Sequence, residues 1–386
     1  LSRGESLLCR SGLLLVLRGG LPGAQLAAGA AVNGAARAAE PLAVGIGEVC
    51  PLPMFHRESL ADAEAQLAAV LRAWSAQCPA VPPSVARLDG EMGRWLAEHT
   101  APAAGGRLLP SVCAGLEMAL LHMLSRWPGC SPLGSAAACA HGTCHASEIG
   151  INALVVRDED VSEPSAGAAV VKVKVGKDPA EDAVRINAVA EAFAASRGPS
   201  ARLRLDANQA WSLDEAARFL DGLSDHAAGM IEYLEEPLKW HPEGPDAFMR
   251  SWEELASRTR SRVRFAADES LTETDLNTEH LSACRAPIAA LVLKPALQGF
   301  EQTMQLASWA VARGCRPVVS SAFESGVALS HYVCLAAAMS SPAWRRSDTV
   351  FSFHGVGTFA RLAEDVLHPP FMDLVDAGWH VDAIRC

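Results

Sequence analysis

The sequence predicts an α/β fold in which parallel strands form a TIM-type barrel with helices outside. From about residue 151 to 355, short β-branched runs alternate with helical patterns, and the runs start roughly 24 to 34 residues apart, the length of a strand–helix unit. Seven or so such units in series are typical of a parallel barrel. Neither a GxGxxG nor a GxxxxGK(S/T) motif follows these runs, which disfavours the alternative, an open doubly wound sheet.

The barrel strands are expected at apolar runs, which are Ala169–Val175, Ala201–Leu205, Met230–Leu234, Arg264–Ala267, Ile288–Leu293, Arg316–Val319 and Val350–Phe353. Helical patterns at 180–193, 213–223 and 303–311 fill gaps between them. Ahead of the barrel, strands are expected at Leu13–Leu17 and Val44–Val49, and helices after Ser59 and over Cys113–Trp127. Residues 19–40 and 129–148 are rich in small residues and predict loop insertions.

The composition excludes several classes of protein. Half of the 386 residues are hydrophobic, which supports a large core and excludes a disordered or fibrous chain. Because 33 basic residues face 44 acidic ones and no block of like charges occurs, neither nucleic acid nor an anionic membrane is an expected partner. No apolar run reaches the ~20 residues of a membrane-spanning helix. The chain begins with Leu1, as a processed protein or a segment of a longer polypeptide would.

The cysteine pattern favours buried, reduced thiols. Eleven cysteines are spread from Cys9 to Cys386 without a CxxC pair, which argues against a disulfide framework. One patch holds Cys139, His141, Cys144 and His145, which are potential zinc ligands. Because no second ligand pair occurs at finger-like spacing, a variable surface loop is the favoured interpretation and a metal site the alternative.

Three carboxylates end successive predicted strands: Asp206, Glu235 and Asp268. The strand ends of a parallel barrel open onto one face, so these side chains should lie together. A hard divalent cation resolves the repulsion among them, and oxygen ligands favour Mg²⁺ or Mn²⁺ over zinc. The alternative for each acid is a helix cap or an ion pair at the rim.

Three lysines accompany these carboxylates. Lys172 and Lys174 lie two apart on one strand, so both side chains should point into the barrel mouth. Neighbouring ammonium groups lower one lysine pKa, which suits that lysine as a general base. Lys294 ends the strand four further along and should face the site from the opposite side, as an acid or electrostatic stabiliser. Solvent-exposed positions are the alternative, but the run VVKVKV is too apolar for an exposed strand.

In this order and spacing the motifs resemble the enolase superfamily, muconate-lactonising subgroup. Within it, the o-succinylbenzoate synthase family is most similar, through the runs Val171–Gly176 (VKVKVG), Leu203–Ala210 (LRLDANQA), Leu234–Pro237, Val292–Pro295 and Ser320–Ser325. Its capping-domain elements are similar to Gly47–Pro53 and Pro110–Glu117. The tail, His354–Thr358 with Glu364–Val366, is like the version fused into a multifunctional phylloquinone-biosynthesis protein of plants and algae.

The resemblance implies a domain organisation. It implies an α+β capping domain over residues 1–150, a modified (β/α)7β barrel over 151–360, and a C-terminal segment over 361–386 that returns to the capping domain. The capping domain would close over the barrel mouth and exclude water. The resemblance also implies a plastid location, with the cytoplasm as the alternative, and action fused to or beside other enzymes of a quinone pathway.

The resemblance further implies residue roles. Asp206, Glu235 and Asp268 would bind Mg²⁺, with Mn²⁺ as a substitute. Lys174 would take the proton α to the carboxylate of a small-molecule substrate, Lys294 would hold the enediolate, and Lys172 would keep its charge and tune Lys174. Return of the proton to the departing hydroxyl would complete a syn dehydration that yields o-succinylbenzoate for phylloquinone and menaquinone biosynthesis. The residues expected to support the metal or bind substrate are Arg204, Asn208, Ser320, Ser321 and Ser325.

Two alternatives stay open at the level of sequence. An N-acylamino-acid racemase or dipeptide epimerase of the same superfamily would use Lys174 and Lys294 on opposite faces of an α-carbon. A catalytically silent barrel would serve as a structural module of a larger protein, but such a module has no need to keep buried like charges.

Overall fold

A computed structural model describes residues 10–20, 42–125, 148–155, 167–340, 353–377 and 379–382. The predicted insertions lie almost entirely outside these ranges, and the patch around Cys139 and His141 lies wholly outside them. The six described cysteines are all free thiols, but of these only Cys50 is buried and Cys78 is exposed, so the expected burial is wrong for most of them. Every helix within the described ranges is too short or too polar to cross a bilayer.

The N-terminal region forms an α+β unit. Its elements are the antiparallel strands β1 (Leu13–Gly20) and β2 (Leu42–Val49), followed by α1 (Leu60–Gln77), α2 (Glu91–Ala104) and α3 (Pro110–Ser125). Ser59 begins α1 through a capping box with Asp62. Strand β2 lies directly against α3 because both carry glycine at the contact: a Cβ on Gly47 would lie 2.1 Å from the carbonyl oxygen of Gly115.

Seven parallel strands of the described chain form one sheet in chain order. They are β4 (Ala153–Val155), β5 (Val170–Lys174), β6 (Arg202–Asp206), β7 (Ile231–Glu235), β8 (Phe265–Ala267), β9 (Ile288–Leu293) and β10 (Arg316–Val319), preceded by β3 (Glu148–Ile151). Neighbouring strands in this sheet are also neighbours along the chain, and this sequential order rules out the doubly wound arrangement.

An eighth strand closes this sheet into a barrel. Strand β11 (Phe353–His354) pairs in parallel with β3, which leads into β4 through Asn152. On its other side, the Gly355 N–H donates to the Val319 carbonyl at 2.7 Å. The predicted barrel is therefore confirmed. Its first strand begins at Glu148, inside the segment expected to be a linker.

Helices lie between the barrel strands along the chain. They are α4 (Pro179–Arg197), α5 (Leu213–Asp221), α6 (Asp225–Met230), α7 (Pro245–Arg258), α8 (Ser270–Glu273), α9 (Thr278–Ala283), α10 (Pro295–Gln298), α11 (Phe300–Ala312) and α12 (Gly326–Met339). Capping side chains begin several of them, as with Asp178 at α4 and Ser212 at α5. The loops that follow the carboxyl ends of the strands surround the barrel mouth.

The C-terminal segment differs from the expectation that it returns to the capping domain. Strand β12 (His380–Asp382) pairs antiparallel with β3 of the barrel. Asp365 accepts hydrogen bonds from the backbone N–H groups of Gly326 (2.8 Å) and Phe371 (2.8 Å), which holds the segment against the start of α12. In the described residues, this part of the chain thus packs along the barrel.

Candidate active site

Strand ends and the loops after them form a cavity of about 540 Å³ at the barrel mouth. The charged and amide side chains that line it include Lys172, Lys174, Asp206, Asn208, Asp268, Glu269 and Lys294. Glu235 is fully buried at its base. Phe55, from the loop between β2 and α1, also lines the cavity, so the N-terminal unit contributes a wall. The structure therefore brings all six predicted metal and lysine positions to one place.

The two lysines of β5 contact the carboxylates of the neighbouring strands. Lys172 Nζ lies 2.7 Å from Glu235 Oε1 and 2.8 Å from Asp206 Oδ2. Lys174 Nζ lies 2.5 Å from Asp206 Oδ2 and 2.7 Å from Asn208 Oδ1. Because residues 172 and 174 alternate with buried valines, both ammonium groups reach the same side of the strand.

Lys294 enters the cavity from the other side of the barrel. Strand β9 lies four strands from β5 in the sheet order, which is half of an eight-stranded ring. The Lys294 ammonium lies 2.5 Å from Asp268 and 5.6 Å from the centre of the Phe55 ring. A substrate in the cavity would therefore lie between Lys174 and Lys294.

The charges within the cluster shift one another's pKa. Burial would raise the pKa of Asp206, but Lys172 and Lys174 outweigh it and lower that pKa. Burial would lower the pKa of Lys172, yet Asp206 and Glu235 raise it well above its usual value. The carboxylates around Lys172 thus outweigh the neighbouring ammonium, and Lys172 keeps its charge, as expected for it.

A second group of carboxylates fits a divalent cation. Oxygens of Glu235, Asp268 and Glu269 lie within 4.8 Å of one another, and all three residues are buried. Glu235 Oε2 and Glu269 Oε2 are buried without a hydrogen-bond partner among the described residues. Burial and the charge of Asp206 raise the pKa of Glu235, so this carboxylate calls for a compensating positive charge. Carboxylate oxygens are the ligands that Mg²⁺ prefers.

Glu269 is a site residue to which the sequence analysis assigned no role. It follows Asp268 in the turn after β8, and its side chain lines the cavity. Burial and the charge of Asp268 raise its pKa to about 8. The only available signal was its position beside a predicted ligand, and such a position is equally typical of the first turn of a helix.

Asn208 and Glu236 shape the turns that carry the site. Asn208 has a left-handed φ of 46°, which asparagine tolerates, and its N–H donates to Asp206 Oδ1 at 2.9 Å. Glu236 Oε1 accepts from the backbone N–H groups of Asp268 (2.8 Å) and Ser270 (2.9 Å). The first glutamate of the Glu-Glu-Pro motif thus faces the cluster, while the second holds the Asp268 turn.

Arg204 does not line the cavity, contrary to the sequence-based assignment of a metal or substrate contact. It is 1% exposed, and its guanidinium donates to Glu232 (2.7 Å) and to the Phe353 carbonyl (2.9 Å). Its Cα lies two residues before Asp206, so the inward-pointing side chain enters the layer beneath the carboxylates. Arg204 therefore supports the barrel interior.

The predicted serines divide between two places. Ser320 and Ser321 line the cavity, where their hydroxyls contact the Gly355 carbonyl at 3.4 and 3.1 Å. Ser325 does not line it, because its hydroxyl donates to Glu48 Oε2 at 2.6 Å and caps α12. The expected substrate contact for Ser325 is therefore replaced by an attachment to the N-terminal unit.

Fold and site define a parallel-barrel protein with a buried cluster of carboxylates and lysines at the carboxyl-terminal face of the barrel. The family model described as "Enolase C-terminal domain-like" matches residues 156–373, and the model described as "MenC, N-terminal domain" matches residues 37–87. The chain belongs to the enolase superfamily, and within it the chain is like the o-succinylbenzoate synthases.

Relatives of known name support this placement. The chain is 30% identical over 371 residues to "Protein PHYLLO, chloroplastic" of Arabidopsis thaliana, covering 89% of this chain but only 20% of that protein. It is 29% identical over 312 residues to the o-succinylbenzoate synthase of Pectobacterium atrosepticum, covering 80% of this chain and 77% of that one. The chain thus spans about a fifth of the Arabidopsis relative and about three quarters of the bacterial one.

Solved structures support the fold. A dipeptide epimerase from Enterococcus faecalis superposes with a TM-score of 0.62 at 17% identity, over 88% of each chain. MenC from Desulfotalea psychrophila superposes with a TM-score of 0.56 at 19% identity, over 92% of this chain and 96% of that one. At these identities the likeness concerns architecture alone.

Proposed function

We propose that this protein catalyses the Mg²⁺-dependent syn dehydration of 2-succinyl-6-hydroxy-2,4-cyclohexadiene-1-carboxylate to o-succinylbenzoate, a step of phylloquinone or menaquinone biosynthesis. The observation that carries the proposal is the arrangement of Lys174 and Lys294 on opposite sides of a buried carboxylate cluster. The choice of substrate is supported by relatives named o-succinylbenzoate synthase, and by the match of residues 37–87 to the N-terminal domain of that family.

The reaction begins with a carbon acid of low acidity, so the charge that develops must be neutralised as it forms. Lys174, as the neutral amine, removes the proton α to the substrate carboxylate, and the electron pair of the C–H bond moves into that carboxylate to form an enediolate. Lys294 faces the enediolate from the other side and stabilises its charge. Asp206, Glu235 and Asp268 would hold Mg²⁺, with Glu269 beside the last two, and the ion would supply further positive charge at this carboxylate.

The second half of the reaction expels the hydroxyl group. The electron pair of the enediolate moves back into the ring, the C–O bond breaks, and Lys174 returns its proton to the departing oxygen, which leaves as water. The ring becomes aromatic. Because one lysine serves both transfers, proton and hydroxyl leave from the same face, which makes the elimination syn. Lys172 keeps its charge beside Lys174, and Asn208, Ser320 and Ser321 hydrogen-bond the metal shell or the substrate.

The division of the chain into a capping domain and a barrel, with the boundary moved from residue 150 to the start of β3 at Glu148, belongs to the same proposal. Phe55 on the wall of the cavity supports it, since an apolar ring from the N-terminal unit would exclude water from the reacting atoms. On the basis of the likeness to a chloroplastic multidomain protein, the chain is proposed to act in a plastid, fused to or beside enzymes of the same pathway.

Epimerisation is the second candidate, since lysines on both sides of an α-carbon suit a two-base exchange of its proton. The named dipeptide epimerases among the similar structures share this fold. Incubation with N-acylamino acids and dipeptides in D₂O separates the candidates: α-deuteration with racemisation favours epimerisation. A catalytically silent module is disfavoured by two buried carboxylate oxygens, Glu235 Oε2 and Glu269 Oε2, that find no hydrogen-bond partner among the described residues.

The decisive assay is ultraviolet detection of o-succinylbenzoate formed from its cyclohexadiene precursor. Conversion is expected with Mg²⁺, is expected to stop with EDTA, and is expected to resume when Mg²⁺ is restored. Absence of conversion by folded, Mg²⁺-loaded protein would reject the dehydratase and direct the D₂O experiment to the epimerase.

The base assignment predicts the behaviour of Lys174→Ala. Dehydration should fall by about 10²–10⁴-fold, the usual contribution of a general base, while folding and Mg²⁺ affinity stay close to wild type. Lys239→Ala, at an exposed lysine, is the matched control. Turnover by Lys174→Ala within about tenfold of wild type would reject Lys174 as the base.

A further inference from the structure

A buried carboxylate that the proposed mechanism does not use contacts Asn208, which in turn contacts the base. Glu269 is 5% exposed, and its Oε1 accepts a hydrogen bond from Asn208 Nδ2 at 2.6 Å. Its Oε2 has no hydrogen-bond partner in the described part of the chain. The interaction joins the turn after β8 to the turn after β6, across the intervening strand β7.

The carboxylate determines which way the Asn208 amide faces. An asparagine side chain has a donor end and an acceptor end, and Glu269 Oε1 accepts from the donor end at 2.6 Å. The NH₂ group of Asn208 must therefore face Glu269, and this leaves Oδ1 directed at Lys174 Nζ, 2.7 Å away. The reversed amide would point its NH₂ group at Lys174 Nζ and would lose the hydrogen bond that Oδ1 accepts.

The orientation of the Asn208 amide in turn sets the direction in which the Lys174 nitrogen points. A lysine nitrogen that acts as the base, in the neutral amine form, has two N–H donors and one lone pair. In Lys174, one is used by Asp206 Oδ2 at 2.5 Å and a second by Asn208 Oδ1. With these two directions taken on the side of β6, the remaining direction on the nitrogen is left for the cavity, where the substrate α-carbon would lie.

We propose that Glu269 is a positioning residue for the base, acting through Asn208 to aim Lys174 at the substrate. The inference rests on the proposed function for its kinetic readout. Since Glu269 also lies within the carboxylate cluster, the competing explanation is that it matters only for cation affinity. The two explanations predict different effects of excess Mg²⁺ on a variant without the carboxylate. Excess Mg²⁺ should restore kcat if Glu269 matters only for cation affinity, and should not restore it if Glu269 positions the base.

The first test compares Glu269→Ala with Glu269→Gln at saturating Mg²⁺. Removal of the acceptor in Glu269→Ala is expected to lower kcat about 10–100-fold, as loss of an orienting partner usually does, with KM within about threefold. Glu269→Gln keeps an oxygen that accepts from Asn208 and is expected to retain most of kcat. Recovery of Glu269→Ala at high Mg²⁺ would overturn the proposal. Glu279→Ala, at an exposed acid of α9, is the control.

The second test is a double-mutant cycle. Asn208→Gly removes the amide and suits the left-handed φ of 46° at this position. If Glu269 acts through Asn208, the double variant should lose no more kcat than Asn208→Gly alone, because the second change removes nothing further. Losses that multiply would overturn the proposal.

A crystallographic readout separates this inference from the proposed function. In Mg²⁺-loaded crystals, wild type and Glu269→Gln are expected to keep the contact between Lys174 Nζ and Asn208 Oδ1, whereas Glu269→Ala is expected to lose it. An unchanged contact in Glu269→Ala would reject the inference even if the enzyme dehydrates its substrate. If wild type shows no dehydration, the proposed function fails and this structural comparison still decides the role of Glu269.

Discussion

At the residue scale, an ion pair beneath the site shows how charge is accommodated inside the barrel. Glu232 accepts from Arg204 and Arg316, each at 2.7 Å, and the Arg204 guanidinium lies 5.1 Å from the centre of the Tyr233 ring. Burial would raise the pKa of Glu232, but the two arginines lower it to about 2. These three side chains therefore fill the layer below Asp206 and Glu235, and the buried charge of Glu232 is compensated by the two arginines.

Glu232→Gln should lower the free energy of unfolding by about 3–5 kcal/mol, because it leaves the buried Arg204 without its countercharge. Urea unfolding at neutral pH measures the loss. Asp214→Asn is the control, since its pair with Arg258 is exposed and such pairs contribute only about 0–1 kcal/mol. Equal losses in the two variants would contradict the interpretation of Glu232.

The same pair predicts an acid dependence. The pKa of Glu232 is lower in the folded state, so its stabilising effect is present above the ordinary value of 4.5 and is lost as pH falls toward about 2. The difference in unfolding free energy between wild type and Glu232→Gln should therefore shrink from pH 6 to pH 3. A difference that stays constant over this range would show that the charge of Glu232 is unimportant.

At the element scale, glycines fix how closely β2 approaches α3. An added Cβ at Gly47 would lie 2.1 Å from the Gly115 carbonyl oxygen, which is backbone and has little room to move. The neighbouring residue Glu48 holds Ser325 at the start of α12, so displacement of β2 would also affect that helix. The close packing of β2 on α3 thus supports the attachment of the N-terminal unit.

Gly47→Ala should lower the free energy of unfolding by about 1–3 kcal/mol, the usual cost of overpacking. Gly229→Ala is the matched control: no atom lies within 4 Å of its added Cβ, and the helical backbone suits alanine. The control should be neutral or more stable by up to about 1 kcal/mol. Thermal or urea unfolding of both variants measures the difference, and similar stabilities would refute the role assigned to Gly47.

At the scale of the whole molecule, hydrogen bonds to glutamates join the N-terminal unit and the barrel. Each part contributes at least one glutamate that accepts from backbone N–H groups of the other. Glu48 accepts from the Ser325 N–H at 3.1 Å, and Glu117 accepts from the Phe300 N–H, so both cap barrel helices. In return, Glu301 of the barrel accepts from the N–H groups of Met92 (3.0 Å) and Gly93 (2.7 Å) at the start of α2. Each carboxylate satisfies N–H groups that a helix start leaves unpaired.

Glu117 makes this attachment sensitive to alkali. Burial raises its pKa to about 8 from an ordinary 4.5. A raised pKa in the folded state means that stability is lost as pH rises from about 4.5 through 8. Glu117→Gln keeps an acceptor for the Phe300 N–H and carries no titrating group, so its unfolding free energy should fall less than that of wild type between pH 6 and pH 9. Parallel pH profiles would exclude Glu117 as the source.

Much of this architecture was predictable because its signals are local. Strand–helix alternation predicted the barrel, and acids and lysines at strand ends predicted the cluster of Asp206, Glu235, Asp268 and Lys294. The first strand was missed, because Glu148–Ile151 is short and pairs with Phe353 and His354, some 200 residues away in sequence. A pairing over that distance produces no periodic pattern in the local sequence.

The sequence by itself determined the barrel, the acids and lysines of its mouth, and their common face, since strand period and strand order follow from nearest neighbours along the chain. Only the tertiary structure decided what the remaining polar residues do. Ser325 binds Glu48, 277 residues away, and Arg204 reaches the Phe353 carbonyl 149 residues away. Glu269 faces Asn208 across β7. A polar side chain takes its role from its partner, and folding brings that partner from elsewhere in the chain.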